Sequence, residues 1–190
     1  MSVHALDPTL ARFNQLKVLN LSFNNITKIE FLPPNLEELY LNGNQVNEVA
    51  LNPTKPFPSM IHLGLSMNQI RQTALTVIIK VFPNLFCLDA SFNDLCDMEG
   101  AMMWITKLKK IKMLYLEGNP LIFTNNYKRI ISERIVGLKV LDGHALFLDQ
   151  ATLDAQVNKK GANGVARSST KSNALSSAGS MLSDSSNFTF

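Results

Sequence analysis

His62 and Cys87 are a pair in this 190-residue chain whose types and spacing together could make a nucleophile. They fall at the same point in successive copies of a recurring pattern, so neighbouring strands would set them side by side. An imidazole beside a thiol can draw off its proton. Nothing else that covalent catalysis needs accompanies them. No orienting third group or oxyanion hole is evident, and His4 and His144 lie far away in sequence. G-x-S-x-G, H-E-x-x-H, the P-loop and CxxC are all absent. The sequence therefore predicts no catalysis, no metal and no cofactor, and leaves recognition as the chemistry to be explained. Glu38, Tyr40, His62, Asp89, Tyr115 and Glu117 supply phenols, carboxylates and one imidazole at recurring positions.

The recurrence has a definite template. LFCLDASFNDL starts at Leu85 and IKMLYLEGNPL at Ile111, and each fits L-x-x-L-x-L-x-x-N-x-L. Further copies start at Leu16 (LKVLNLSFNNI), Leu36 (LEELYLNGNQV) and Met60 (MIHLGLSMNQI), with a shortened one at Leu138 (LKVLDG). Asn24, Asn44, Asn68, Asn93 and Asn119 are spaced 20, 24, 25 and 26 residues apart, within the range such repeats allow. On these motifs the chain resembles the leucine-rich repeat family. The fold this implies is α/β, a right-handed solenoid or horseshoe with a short parallel concave sheet.

Each L-x-L segment is expected to be a short strand with its leucines facing inward. The asparagine then turns the chain, and its amide must find backbone partners if buried. Gly43 and Gly118 stand just before Asn44 and Asn119, where glycine eases a bend. The first two returns carry Pro33-Pro34 and Pro53, Pro56 and Pro58, which predicts extended or single-turn convex sides. Apolar stripes predict helices over 72–82, 98–108 and 126–136. Ala90 replaces an inward leucine, so a bulkier neighbour, Phe92 or Phe86, is expected to fill its coil. Asp7-Pro8-Thr9, with Leu6, Leu10 and Phe13, reads as a thin N-terminal cap. The solenoid, five repeats plus the cap, is placed at residues 1–148. A Ser-rich tail too poor in apolar residues to order itself is placed at 149–190.

If the leucines point inward, the residues alternating with them face the concave side. One column is Val18, Glu38, His62, Cys87, Met113, Val140; the next is Asn20, Tyr40, Gly64, Asp89, Tyr115, Asp142; the third is Ser22, Asn42, Ser66, Ser91, Glu117. No Lys or Arg occurs among them. This face is expected to bind a protein segment carrying basic and apolar groups, with Tyr40 and Tyr115 as anchors; the alternative is a merely solvated sheet. Two secondary contacts compete with it. Lys109 and Lys110, with Lys107 and Lys112, could meet an acidic partner or simply be solvated. Trp104, beside Met103, could anchor an interface or pack in the core.

Composition narrows the setting. Net charge is +3, of which the tail from Gln150 onward carries +2, so the repeats lack the basic footprint of a nucleic-acid binder. No apolar run approaches the roughly 18 residues of a membrane span, and no secretory signal is visible at the start. Extracellular members of the family seal their ends with clustered cysteines; Cys87 and Cys96 do not bracket the repeats, which implies a reducing compartment. The sequons at Asn20, Asn25 and Asn187 are then accidental. Residues 57–143, through FPSMIHLGLSMNQI, FPNLFCLDASFNDL, LYLEGNPL, Tyr127 and LKVLDG, are similar to intracellular members associated with motile cilia. That resemblance implies a non-catalytic scaffold within a larger assembly, in the cytoplasm and specifically the cilium or axoneme. A regulatory subunit docking on a phosphatase or dynein motor, and an adaptor in an RNA–protein complex, stay open as alternatives.

Overall fold

The computed structural model describes residues 2–146. The Ser-rich tail expected at 149–190, the Asn187 sequon and the last two residues placed in the solenoid lie outside the described residues.

Strands β1 (Val18–Asn20), β3 (Glu38–Tyr40), β5 (His62–Gly64), β6 (Cys87–Asp89), β7 (Met113–Tyr115) and β8 (Val140–Leu141) form one parallel sheet. Their register runs Val18, Glu38, His62, Cys87, Met113, Val140, the column read from the sequence. The leucines between, Leu39, Leu63, Leu88, Leu114 and Leu141, have no exposed surface. Side chains alternate across a strand, so this single shared interior fixes which residues face out.

The returns thicken along the chain. In the first two coils, β2 (Lys28–Ile29) and β4 (Glu48–Val49) are extended, as the prolines require, and pair with each other in a second small sheet. The later coils carry α1 (Gln72–Val81), α2 (Met98–Ile105) and α3 (Tyr127–Arg134). Leu75, Ile78, Ile79 and Phe82 of the α1 stripe are buried, as are Met98, Ala101, Met102, Ile105 and Leu108 along and after α2. Ala90 is buried too, but neither phenylalanine expected to fill its coil does so. Phe86 and Phe92 stay about half exposed. Both lie outside β6, where alternation no longer holds, and Phe92 is turned out by its left-handed backbone at φ 51°.

The asparagines lock coil to coil. The side-chain carbonyls of Asn44, Asn68, Asn93 and Asn119 accept from Ile26, Val46, Ile70 and Leu95 N–H of the preceding coil at 2.8–3.0 Å. Their amides donate to the carbonyls of Leu41, Leu65, Ala90 and Leu116 in their own coils, at 2.8–3.1 Å. They also donate to Leu21, Leu41, Leu65 and Ala90 of the coil before. In every coil the residue just before the asparagine is left-handed: Phe23, Gly43, Met67, Phe92 and Gly118, at φ 51–70°. For the three non-glycine residues that conformation costs roughly 1–2 kcal/mol each.

The two ends differ. Asp7 caps a short 3₁₀ turn (Pro8–Arg12) by accepting from Thr9 N–H, and Leu6 is buried. Phe13 stands three residues before its repeat, as Phe82, Leu108 and Ile135 do before theirs. Those three are buried while Phe13 is 55% exposed, with no earlier coil against it among the described residues. At the other end, β9 (His144–Ala145) folds back antiparallel on β8. Asp142 and Gly143 turn the hairpin with positive φ at both positions, the turn that suits a two-residue loop. Asp142 therefore does not continue the outward column after Tyr115. It is buried, its Oδ1 accepting from Leu116 and Glu117 N–H and its Oδ2 from the Tyr127 hydroxyl.

Candidate binding face

Glu38, Tyr40, His62, Asp89 and Tyr115 sit on β3, β5, β6 and β7, on the outer side of the sheet, and Glu117 follows β7 as an exposed carboxylate. Adjacent strands bring Glu38 beside His62 and Asp89 beside Tyr115. The Tyr40 hydroxyl donates to Glu38 Oε2 at 2.7 Å, and the Tyr40 ring stands 4.9 Å from the His62 ring. Gly64 makes room for it: a Cβ there would come within 3.1 Å of Tyr40 Cδ1. The phenol is thus held close against the third coil, tilted 48° to the His62 ring, rather than projecting freely.

Both phenols resist ionisation, for different reasons. The hydrogen bond to Glu38 pushes Tyr40 up to about 12, with burial adding to it. Tyr115 is raised first by burial and then by Cys87 and Asp89. Asp89 Oδ1 accepts from Ser91 N–H at 3.0 Å and from the Ser91 hydroxyl at 2.6 Å, and the Ser91 and Ser66 hydroxyls are 2.9 Å apart. The face is therefore a network of neutral donors and acceptors with three carboxylates and no cation in its columns.

The Cys87–His62 pair is adjacent in register, but the surroundings favour the protonated thiol over the thiolate. Burial, and then the charge of Asp89, push Cys87 up to about 11. A thiolate there is both desolvated and repelled. Among the described residues no group of three or more His, Cys, Asp or Glu could hold a metal ion.

Trp104, Lys109 and Lys110 lie elsewhere, in α2 and the turn after it. Trp104 is partly buried against the core, with Lys107 Nζ 3.9 Å and Lys80 Nζ 4.9 Å from its ring. The lysine run divides. Lys109 Nζ donates to Thr106 O, Lys112 Nζ reaches Gly137 O at 3.0 Å, and Lys109 and Lys110 are exposed. Sequence reasoning missed a row at the C-terminal rim of the sheet: Phe23, Met67 and Phe92, 80%, 56% and 49% exposed. The available signal was that they occupy the position of Gly43 and Gly118.

A family description, "Leucine Rich repeats (2 copies)", matches residues 14–51. Human leucine-rich repeat-containing protein 43 is 33% identical over 144 residues, 74% of this chain and 22% of that protein. The mouse protein of the same name is equally similar. The chain thus spans about a fifth of the length of these relatives. Chicken serine/threonine-protein kinase 11-interacting protein is 32% identical over 67% of this chain and 12% of its own length. The Drosophila melanogaster SNF/U2A′ complex contains a chain that superposes with a TM-score of 0.63 at 20% identity, covering 85% of this chain and 97% of that one, which shows the fold. The chain belongs to the leucine-rich repeat family, built as an α/β solenoid and resembling leucine-rich repeat-containing protein 43.

Proposed function

We propose that this chain is a non-catalytic scaffold or adaptor that grips a segment of another protein on the outer face of its main sheet. Repeat solenoids generally serve as extended interaction surfaces. The observation that carries the reading is the make-up of the face: Tyr40 and Tyr115 among Glu38, Asp89 and Glu117, with no Lys or Arg in the columns. Part-buried phenols offer rigid contact area at small entropic cost, and the carboxylates select basic groups. The same carboxylates repel a phosphate backbone, so nucleic acid is not the direct ligand. The suppressed Cys87 thiol supports a role without covalent chemistry. A motile-cilium assembly is the setting we propose for it, and the capture experiment below tests that setting directly.

The test is crosslinking–mass spectrometry with tagged chain from ciliated and non-ciliated cells. The native chain is compared with a Tyr40→Ala, Asp89→Ala, Tyr115→Ala variant. Loss of two part-buried anchors weakens capture by at least about tenfold, with thermal unfolding shifted by no more than about 4 °C. Undiminished capture by the variant ends the reading. Axonemal proteins in the native capture support the ciliary setting. Nuclear splicing factors without them overturn it, and a phosphatase or a dynein motor as the direct crosslink narrows the role to enzyme regulation.

A further inference from the structure

The C-terminal rim of the main sheet carries an apolar ridge that the columns do not include. Phe23, Met67 and Phe92 are each left-handed, a conformation L side chains rarely adopt and glycine supplies freely at the same position in the second and fifth coils. The chain nevertheless keeps three large apolar side chains there, and keeps them exposed. The rings lean along the solenoid. A Cβ on Gly43 would lie 2.7 Å from Phe23 Cδ1, and one on Gly118 would collide with the Phe92 ring. The glycines thus floor a ridge that crosses five coils. Backbone bonds fix its pitch, since Phe23, Met67 and Phe92 N–H donate to Asn42, Ser91 and Glu117 carbonyls of the next coil at 2.7–3.1 Å.

We propose that this ridge docks an amphipathic helix of a partner protein, one with a basic flank beside its apolar stripe. The proposal rests on the sheet face being a protein-binding surface, and names the partner's chemistry. Pitch and charge both argue for it. Coils stack about 4.8 Å apart, so Phe23 and Met67 are separated by about 10 Å and Phe23 and Phe92 by about 14 Å. A helix laid along the solenoid presents residues i, i+7 and i+10 at about 0, 10 and 15 Å, on one stripe. Beside the ridge run the part-buried Ser22, Asn42 and Ser66 and the exposed Glu117, with Asp89 one column further in and Ser91 buried beneath. The helix's neighbouring face therefore meets hydroxyls, an amide and carboxylates, and lysines or arginines on it are matched.

The probe is an 18-residue helical peptide of leucine and lysine with leucines at i, i+3, i+7 and i+10, and a leucine–glutamate counterpart, titrated against the 190-residue chain by fluorescence anisotropy. The ridge variant is Phe23→Asn, Met67→Asn, Phe92→Asn, because asparagine tolerates the left-handed conformation; its unfolding midpoint is measured first. The expected result is binding of the lysine peptide at least about tenfold tighter than of the glutamate peptide, and a loss of at least about tenfold in the ridge variant. No binding by the native chain, or equal binding by a folded ridge variant, overturns the proposal. So does concentration-dependent dimerisation that the ridge substitutions abolish, since a second copy then covers the row. A ridge variant that still captures its cellular partner, while the Tyr40, Asp89, Tyr115 variant does not, overturns the ridge and leaves the binding face standing.

Discussion

The two ends of the solenoid solve the same problem differently. At the N-terminal end, β1 lies at the edge of the sheet with Val18 50% exposed, Phe13 is 55% exposed, and Asn24 is only part-buried. Asn24 has no coil before it to bond; its carbonyl accepts instead from Val3 N–H. At the C-terminal end the sheet turns back on itself through β9, and a buried carboxylate, Asp142, gathers two backbone N–H groups and a phenol. Arg134 in α3 grips Glu99 in α2 with two bonds of 2.6 and 2.8 Å. The difference teaches that, among the described residues, a coil is closed over where its polar turn residue is redirected inward, as Asp142 is. Where it is not, as at Asn24, Val18 and Phe13 are left about half exposed among the described residues.

The largest contrast comes from two phenylalanines at the same repeat position. Phe82 is fully buried, its ring 5.8 Å from that of Phe57, so Phe82→Ala leaves a cavity and costs about 3–5 kcal/mol. Phe13→Ala removes a ring already in solvent and changes stability by no more than about 0.5 kcal/mol. Urea unfolding of both variants checks this. Equal losses would show that the N-terminal end is covered in solution and remove the contrast between the ends.

A smaller contrast sets Asp142→Ala against Asn24→Ala. The first strands the Leu116 and Glu117 amides and the Tyr127 hydroxyl away from water, a cost of about 2–3 kcal/mol. Water replaces most of what Asn24 offers, so its loss costs about 1 kcal/mol or less. Hydrogen exchange should locate the first loss in β7 and β8. If Asn24→Ala proves the more damaging, the carboxylate is not what closes the C-terminal end.

Much of the architecture was legible because leucine alternation and the asparagine register constrain the same frame twice. The strand columns from Val18 to Val140 and the three helical stripes follow from them, and so did the extended early returns. What escaped was what periodicity does not encode. Alternation says which way a strand residue points but nothing of φ at the turn, so the exposure of Phe23, Met67 and Phe92 went unseen although Gly43 and Gly118 marked the site. The Asp142-Gly143 pair is a hairpin signal, but extending the column through it assigned Asp142 outward. Phe13 matched its series by spacing, and spacing is blind to whether another coil lies alongside. The pairing of β2 with β4 involves two residues per strand, too few to leave a pattern.

The proposed binding face carries the finest version of the contrast between the halves. Tyr40, on the second coil, is held neutral chiefly by an acceptor, Glu38; Tyr115, on the fifth, chiefly by burial. Glu38→Gln removes the charged acceptor, so Tyr40 should ionise closer to its ordinary value of 10 than to about 12, while Tyr115 stays where it is. The linkage has a sign. A phenol whose folded value is raised contributes its stability fully below the unfolded value of 10, and that contribution fades as pH climbs through about 12. The native chain should therefore lose more stability between pH 10 and 12 than Glu38→Gln does. Phenolate absorbance at 295 nm, compared with Tyr40→Phe and Tyr115→Phe variants, assigns each step. If Glu38→Gln lowers both phenols together, the two halves share one electrostatic environment, and the face is a single site rather than two anchors tuned separately.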